Sequence, residues 1–187
     1  LNLYEALDLT PPIIATMPHI LNEQGNKKLG KRDGAKDVLD YVRDGYLPEA
    51  TLNYLARLGW SHGDEEVFSM AQFTQWFDLD HITASAAQFN TEKLNWLNAH
   101  YIKAADNARL AALVQKRFDE RDVRVTPAPA LEAIIGLYKE RVGNINELAD
   151  AAEVFYIDLH PKAEILAQHL TDDVKPALAD FAEALQN

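Results

Sequence analysis

From about residue 36 onward, apolar residues recur every three or four positions, which is the spacing of one face of an α-helix. In the segment LPEATLNYLARLGW, the leucines expected to share one face are Leu47, Leu52, Leu55 and Leu58. In NTEKLNWLNAHYI, the corresponding stripe is Leu94, Leu97 and Tyr101. Helices with such stripes bury them against one another. The periodicity therefore predicts a mainly α fold.

Local signals give the helices their ends. Pro48 suits the first turn of a helix, where its missing N–H costs nothing. Ser69 and Gln72 have the spacing of a capping box. The two prolines of VRVTPAP predict a linker between helices. Gly143 follows the apolar pattern of ALEAIIGLYKERV and is expected to close that helix.

The clearest β signal is the apolar, β-branched segment IIATMPHIL, beginning at residue 13. The residues NEQGN follow it and predict a turn in which Gly25 takes a positive φ. The residues KKL then return as the second arm of a small hairpin. This hairpin presents the loop that comes next in the chain.

That loop is part of KKLGKRDGAK (residues 27–36), which carries five basic residues and one acid in a chain of net charge −11. Flexible glycines let a backbone approach a phosphate group, and lysines bring positive charge to its oxygens. The alternative is a solvated hairpin tip. The spacing of a P-loop is missing.

Composition excludes several classes of site. The chain has no cysteine, so disulfides and thiolate metal sites are excluded. No apolar run approaches 18 residues, so no membrane span is expected. The mixed histidine and acid segments HGDEE, FDLDHI and IDLHP lack the i, i+4 histidine pair of a helical zinc site, and no metal site is predicted. Core packing is the expected role of the aromatic residues Trp60, Trp76, Phe77 and Trp96.

The basic segment resembles the second signature sequence of class I aminoacyl-tRNA synthetases, which reads Lys-Leu-Ser-Lys-Arg followed by His-Gly-Ala in glutamyl-tRNA synthetases. Here the chain reads KLGKR (residues 28–32) and then DGA. The downstream segments DGYLPEATLNYLARLGWSHGDEEVFS and FNTEKLNWLNAHYI are also similar to bacterial glutamyl-tRNA synthetases. Three similar segments in the same order make the resemblance specific.

The resemblance implies three regions. Residues 1–40 would be the end of a Rossmann-type catalytic domain, reduced to a small β-hairpin with the signature loop. Residues 41–105 would be an α-helical stem-contact domain, and residues 106–187 a helical anticodon-binding domain. The upstream His-x-Gly-His-like signature of the family does not occur in this chain, so we expect a carboxy-terminal part that is inactive alone.

The resemblance also implies roles for particular residues. Lys31, with Lys28 close by, would stabilise phosphate charge while glutamate is activated by ATP. The ATP-binding residues would be Lys28, Leu29, Gly30, Lys31 and Arg32. Gly30 stands where the family usually has serine, and Asp33 stands where it has histidine. Arg141 is the candidate for contacting an anticodon nucleotide.

The implied partners are ATP with Mg²⁺, glutamate and the glutamate tRNA. The resemblance also implies that the ligase is cytoplasmic and monomeric. Two alternatives remain open at this point. A glutaminyl-tRNA synthetase relative would read the anticodon with β-barrels, whereas residues 106–187 show no strand periodicity. A helical protein-interaction module with a coincidental basic hairpin would need no tRNA and would have no use for Lys31.

Overall fold

The computed structural model describes residues 1–14, 16–158 and 160–184, and for Asp33 the backbone alone. The described residues form ten α-helices and one 3₁₀ turn, Lys31–Asp33. The helices are α1 Asn2–Ala6, α2 Val38–Arg43, α3 Pro48–Arg57, α4 Met70–Trp76, α5 Thr91–Ala104, α6 Asn107–Glu120, α7 Leu131–Tyr138, α8 Ile145–Glu153, α9 Ala163–His169 and α10 Lys175–Ala184. The predicted mainly α fold is confirmed.

The helix ends follow the local signals in two of three cases. Pro48 occupies the first turn of α3. Ser69 and Gln72 form the predicted capping box at the start of α4. Gly143 does not close α7, because that helix ends at Tyr138. Gly143 instead donates its backbone N–H to Glu147 in α8 at 2.6 Å.

Helix α3 packs against α5, as the leucine stripes predicted. A small core surrounds this contact and also includes a residue of α2: its members are Tyr41, Tyr54, Leu58, Leu94 and Leu97. Leu52 was wrongly assigned to the buried stripe, because its side chain is 46% exposed. At 3.6 residues per turn, Leu52 lies about 140° around the helix from Leu47. The residues spaced to share the buried face are Leu47, Ala50, Tyr54 and Leu58.

The main core joins α6, α7 and α8 to the preceding helices. Its central side chains from the second half of the chain are Leu110, Val114, Phe118, Ile135 and Leu148. Leu47, Ala50 and Ile102 belong to the same core. Residues on both sides of position 105 therefore share one hydrophobic core. The loop containing VRVTPAP also contributes, since Val123 is buried in this cluster.

The expected aromatic core is only partly formed. Trp60 is buried against Phe68 and Phe73, with ring centroids 5.8 and 5.1 Å away. Trp96 and Phe77 are half-exposed, so the prediction that they pack in the core was wrong. The ring of Trp96 lies on the surface of α5, with Lys93 Nζ 4.4 Å from its centroid.

The β-hairpin is minimal. Leu21 forms an antiparallel bridge with Lys28 and a parallel bridge with Gln88. The backbone N–H of Leu29 donates to Ile20 O, and that of Leu21 donates to Ala87 O, both at 2.8 Å. Among the described residues of IIATMPHIL, pairing is confined to its last two positions, and Ile13 and Ile14 are exposed.

Helices α1, α9 and α10 contribute no buried residue. No helix within the described ranges is long and apolar enough to cross a membrane.

Candidate functional site

The basic segment, residues 27–36, begins at the returning arm of the hairpin. Asn22, which is buried, organises the turn before it. Its side-chain Oδ1 accepts from the backbone N–H groups of Asn26 at 3.2 Å and Lys27 at 3.3 Å. Gly25 has φ +68°, the positive value predicted from the sequence. The turn thus gives the basic segment a fixed starting point.

The middle of the segment is a compact turn between two glycines. Gly30 is extended, with φ −124° and ψ 172°, and the 3₁₀ turn Lys31–Asp33 follows it. Gly34 then takes the left-handed conformation at φ 88°. The N–H of Ala35 donates to Gly30 O at 3.1 Å and closes the turn. Lys31 and Arg32 consequently lie within this turn.

Four of the five cations in the segment have no acidic partner among the described side chains, which leave out Asp33. They are the exposed residues Lys27, Lys28, Lys31 and Arg32. The fifth cation, Lys36, donates to Asp44. This hydrogen bond raises the pKa of Lys36 above its ordinary value, and burial offsets part of the rise. Positive charge is therefore available to an external anion.

Two cavities flank the segment. One of about 210 Å³ lies between the segment and the start of α5, and is lined by Leu29, Gly34 and Lys36 among others. The other, of about 410 Å³, is lined by residues including Lys28 and Lys36. Lys31 and Arg32 line neither cavity. The structure thus places the candidate residues 28–32 in one short segment, with Lys28 at a cavity wall.

The hairpin is fastened to the N-terminus of α5. Glu23 Oε1 accepts from the backbone N–H of Thr91 at 3.1 Å, and this contact with Thr91 lowers the pKa of Glu23. The side-chain amide of Gln88 donates to Glu23 O. A carboxylate at a helix N-terminus is favourable, because it meets unpaired N–H groups. The start of α5 therefore sets the position of the hairpin.

Arg141 lies on the loop between α7 and α8, outside the basic segment. Its side chain is exposed, and its backbone N–H donates to Tyr138 O at 2.9 Å. The neighbouring Lys139 is occupied structurally, since its Nζ donates to Ala105 O at 3.0 Å. Arg141 is thus the basic side chain in this loop that is free to meet a ligand.

Sequence reasoning missed two features of the site. The first is the role of Asn22, for which the spacing from Asn22 to Asn26 around Gly25 was the available signal. The second is the pairing of Lys36 with Asp44, which spans a whole helix and leaves no signal at short range. Among the described residues, no group of three or more histidine, aspartate or glutamate side chains is placed to hold a metal ion.

Comparison with protein families gives two matches. Residues 1–96 match the catalytic domain of class I tRNA synthetases for glutamate (E) and glutamine (Q). Residues 109–187 match an anticodon-binding domain.

Curated relatives are similar over nearly the whole chain. A protein named glutamate–tRNA ligase from Aromatoleum aromaticum is 58% identical over 99% of this chain. Another of that name from an Azoarcus species is 60% identical over 97%. These matches cover 40% and 38% of the respective relatives. The chain thus spans about two-fifths of the length of these proteins.

Solved structures share the fold. A crystal structure of a glutamate tRNA ligase from Elizabethkingia meningosepticum, in complex with its amino acid, aligns with a TM-score of 0.81 at 28% identity. The alignment covers 100% of this chain and 41% of the Elizabethkingia meningosepticum chain. A glutamate–tRNA synthetase from Elizabethkingia anophelis aligns with a TM-score of 0.74 at 31% identity, over 89% of this chain and 37% of that one.

Proposed function

The chain belongs to the class I tRNA synthetase family of the glutamate and glutamine enzymes, and on that basis we propose that it is part of a glutamate–tRNA ligase. The whole protein activates glutamate with ATP and transfers it to tRNA. This chain supplies the loop that stabilises the phosphates and the helices that bind tRNA. The names of the relatives favour glutamate over glutamine.

The observation that carries the proposal is the turn bounded by Gly30 and Gly34, which exposes Lys31 and Arg32 with no acidic partner among the described side chains. In the reaction, a carboxylate oxygen of glutamate attacks the α-phosphorus of ATP, and the bond to the departing pyrophosphate breaks. Negative charge grows on the phosphate oxygens during this step. A positioned ammonium group lowers the barrier when it meets that charge more closely in the transition state than in the ground state.

Within this proposal, Lys31 is the catalytic cation and Lys28 assists it from the adjoining arm of the hairpin. Residues 28–32 form the ATP-binding segment, including Leu29, Gly30 and Arg32. Mg²⁺ enters as the ATP complex, so it belongs to the substrate. Gly30 lacks the hydroxyl that serine would offer to a phosphate.

The three predicted regions, 1–40, 41–105 and 106–187, are retained as a proposal about function. The first carries the phosphate chemistry, the second contacts the body of the tRNA, and the third reads the anticodon. Arg141 is the proposed anticodon contact, supported by its exposed side chain on the α7–α8 loop. We also propose a monomeric, cytoplasmic enzyme. Family membership leaves the interaction-module alternative without support.

The test is glutamate-dependent ATP–pyrophosphate exchange by the full-length enzyme, with tRNA present. Lys31→Ala should reduce kcat about 100-fold, the cost of losing one donor that is preorganised for transition-state charge. The matched control is Lys27→Ala, which removes another exposed cation of the same segment that lies outside residues 28–32. A loss confined to KM would indicate uniform binding and contradict the role of Lys31. An unmodified enzyme without exchange activity would contradict the function itself.

A further inference from the structure

Helix α2 stands between the basic segment and the second half of the chain. Its N-cap is Asp37, the residue directly after Lys36. Asp37 accepts from the N–H of Leu39 at 2.9 Å, and the backbone N–H of Asp37 donates to Asp40 at 2.9 Å. The end of the basic segment is thus tied to the first turn of α2, and a shift of the helix moves both.

Packing alone fixes α2 poorly. The helix has six residues, which makes it about 9 Å long. A helix this short is unstable in isolation and takes its orientation from tertiary contacts. Tyr41 is its one buried residue, while Val38, Leu39 and Val42 are 64%, 61% and 51% exposed. The contacts at the two ends of α2 therefore determine its position.

The C-terminal end of α2 is held by α6 and α8. Arg117 Nη2 donates to Val42 O at 2.5 Å, and its Nε donates to Asn146 Oδ1 at 2.9 Å. Asn146 Nδ2 donates in turn to Arg43 O at 2.8 Å. The last carbonyls of a helix have no intrahelical partner, and a cation there is favoured by the helix dipole. Arg117 and Asn146 together form what we call the α2 clamp.

The two residues of the α2 clamp are themselves held in place by α6 and α8. The side chain of Arg117 is only 18% exposed. Asn146 lies in the first turn of α8, where the preceding residue, Ile145, donates its backbone N–H to Gly45 O at 2.9 Å. On the other side, Asp44 pairs with Lys36 of the basic segment. Three consecutive residues at this end of α2, namely Val42, Arg43 and Asp44, thus connect α6 and α8 to Lys36 at the end of the basic segment.

We propose that Arg117 is a positioning residue for the basic segment, acting through Asn146 and α2. Only the kinetic consequence of this proposal rests on the function proposed above. In this proposal Arg117 acts through α2 and not by binding ATP or glutamate. It fixes the carbonyl end of α2, and α2 holds Lys36 and Asp37. The half of the molecule proposed to bind the anticodon therefore determines the position of Lys31.

The first test needs no enzyme activity. Amide hydrogen exchange is followed in the 187-residue chain carrying Arg117→Ala, with Arg121→Ala as the matched control. Arg121 is the C-cap residue of the same helix. It pairs with Asp150 and Glu153 of α8 and has no bond to α2 among the described residues. We expect exchange at residues 31–43 to become about tenfold faster in Arg117→Ala and to stay unchanged in the control. Equal exchange at residues 31–43 in the two variants would overturn the proposal.

A second variant separates positioning from general loss of folding. Asn146→Ala keeps Arg117 but removes the bonds to Arg43 O and Arg117 Nε. It should accelerate exchange at residues 31–43 in the same way, while the buried amides of α6 keep their protection. Acceleration spread evenly over α6, α7 and α8 would indicate unfolding and count against the proposal.

The kinetic test uses ATP–pyrophosphate exchange by the full-length enzyme. Arg117→Ala should lower kcat between about 2-fold and about 30-fold, the range for residues that couple sites without touching ligand. KM for glutamate should not change. Arg117→Lys should restore part of the rate, because an ammonium can reach Val42 O but cannot also bind Asn146. Faster amide exchange with an unchanged kcat would overturn the proposal. If the unmodified enzyme shows no exchange activity, the proposed function fails, and the amide exchange still decides the positioning role.

Discussion

The side-chain amide of Asn98 donates a hydrogen bond to the backbone carbonyl of Gly143 at 2.6 Å. The other side of the same amide, Oδ1, accepts from the backbone N–H of Leu47 at 2.8 Å. Asn98 is fully buried in the middle of α5. One polar side chain therefore joins the start of α3 and the α7–α8 loop to α5, and satisfies a backbone group in each.

Asn98→Ala should destabilise the chain by about 2–4 kcal/mol, because it removes the partner of the buried N–H of Leu47 and of the partly buried carbonyl of Gly143. Asn95→Ala is the control, since Asn95 is exposed on the same helix and its side chain accepts from the hydroxyl of Tyr46. It should cost less than about 1 kcal/mol. Urea unfolding measures both variants, and equal losses would show that the buried bonds contribute little.

Gly45→Ala should be much more damaging than Gly34→Ala. The two glycines have nearly equal φ angles, +85° and +88°, so both substitutions carry the same backbone penalty of about 1–2 kcal/mol. An added Cβ at Gly45 would lie 2.8 Å from the backbone nitrogen of Asn146, whereas nothing lies within 4 Å at Gly34. We expect at least about 3 kcal/mol for Gly45→Ala. Similar free energies of unfolding for both variants would contradict the close packing of this loop against α8.

The ion pair between Glu49 and Arg109 should make stability depend on pH. Arg109 donates to both carboxylate oxygens of Glu49, at 2.5 and 2.9 Å, and this lowers the pKa of Glu49 below its ordinary 4.5. The stabilisation is therefore complete above about pH 4.5 and disappears as the pH falls through the lower folded-state pKa.

Glu49→Gln should accordingly cost about 1 kcal/mol at pH 7, a small value because Arg109 is half-exposed. The difference in the free energy of unfolding between Glu49→Gln and the unmodified chain should shrink at acidic pH. Urea unfolding across the pH range measures it. Asp172→Asn removes the pair between the almost fully exposed Asp172 and Lys175, and it should change nothing measurable. A difference that is independent of pH would show that the ion pair is not its source.

Gly30→Ser should leave the rate of adenylate formation in the full-length enzyme equal or raise it. The φ of −124° at Gly30 is open to any residue, so serine fits without strain and adds a hydroxyl donor. Gly34→Ser is the contrasting variant, because φ 88° strains any side chain there. ATP–pyrophosphate exchange compares the two. A large fall in rate for Gly30→Ser would mean that the segment needs glycine for another reason.

Several features of the chain were determined by the sequence alone because their causes are local. The capping box of Ser69 and Gln72 needs two side chains three residues apart, and it formed as predicted. The turn at Gly25 needs one residue that tolerates a positive φ. The basic segment was recognisable because its identity rests on a short run of residue types. In each case the interacting groups lie within a few residues of each other.

The tertiary structure decided what depends on distant partners. Nothing near Asn98 in the sequence indicates that it will be buried, because the groups that satisfy it lie 51 and 45 residues away. Leu52 has the residue type of a core position but faces solvent, since the partner helix covers a different face of α3. Arg117 looks like an ordinary surface cation until α2 and α8 are seen to meet at its guanidinium. Burying a polar group costs free energy unless the group finds a hydrogen-bond partner, and the tertiary structure determines where that partner lies.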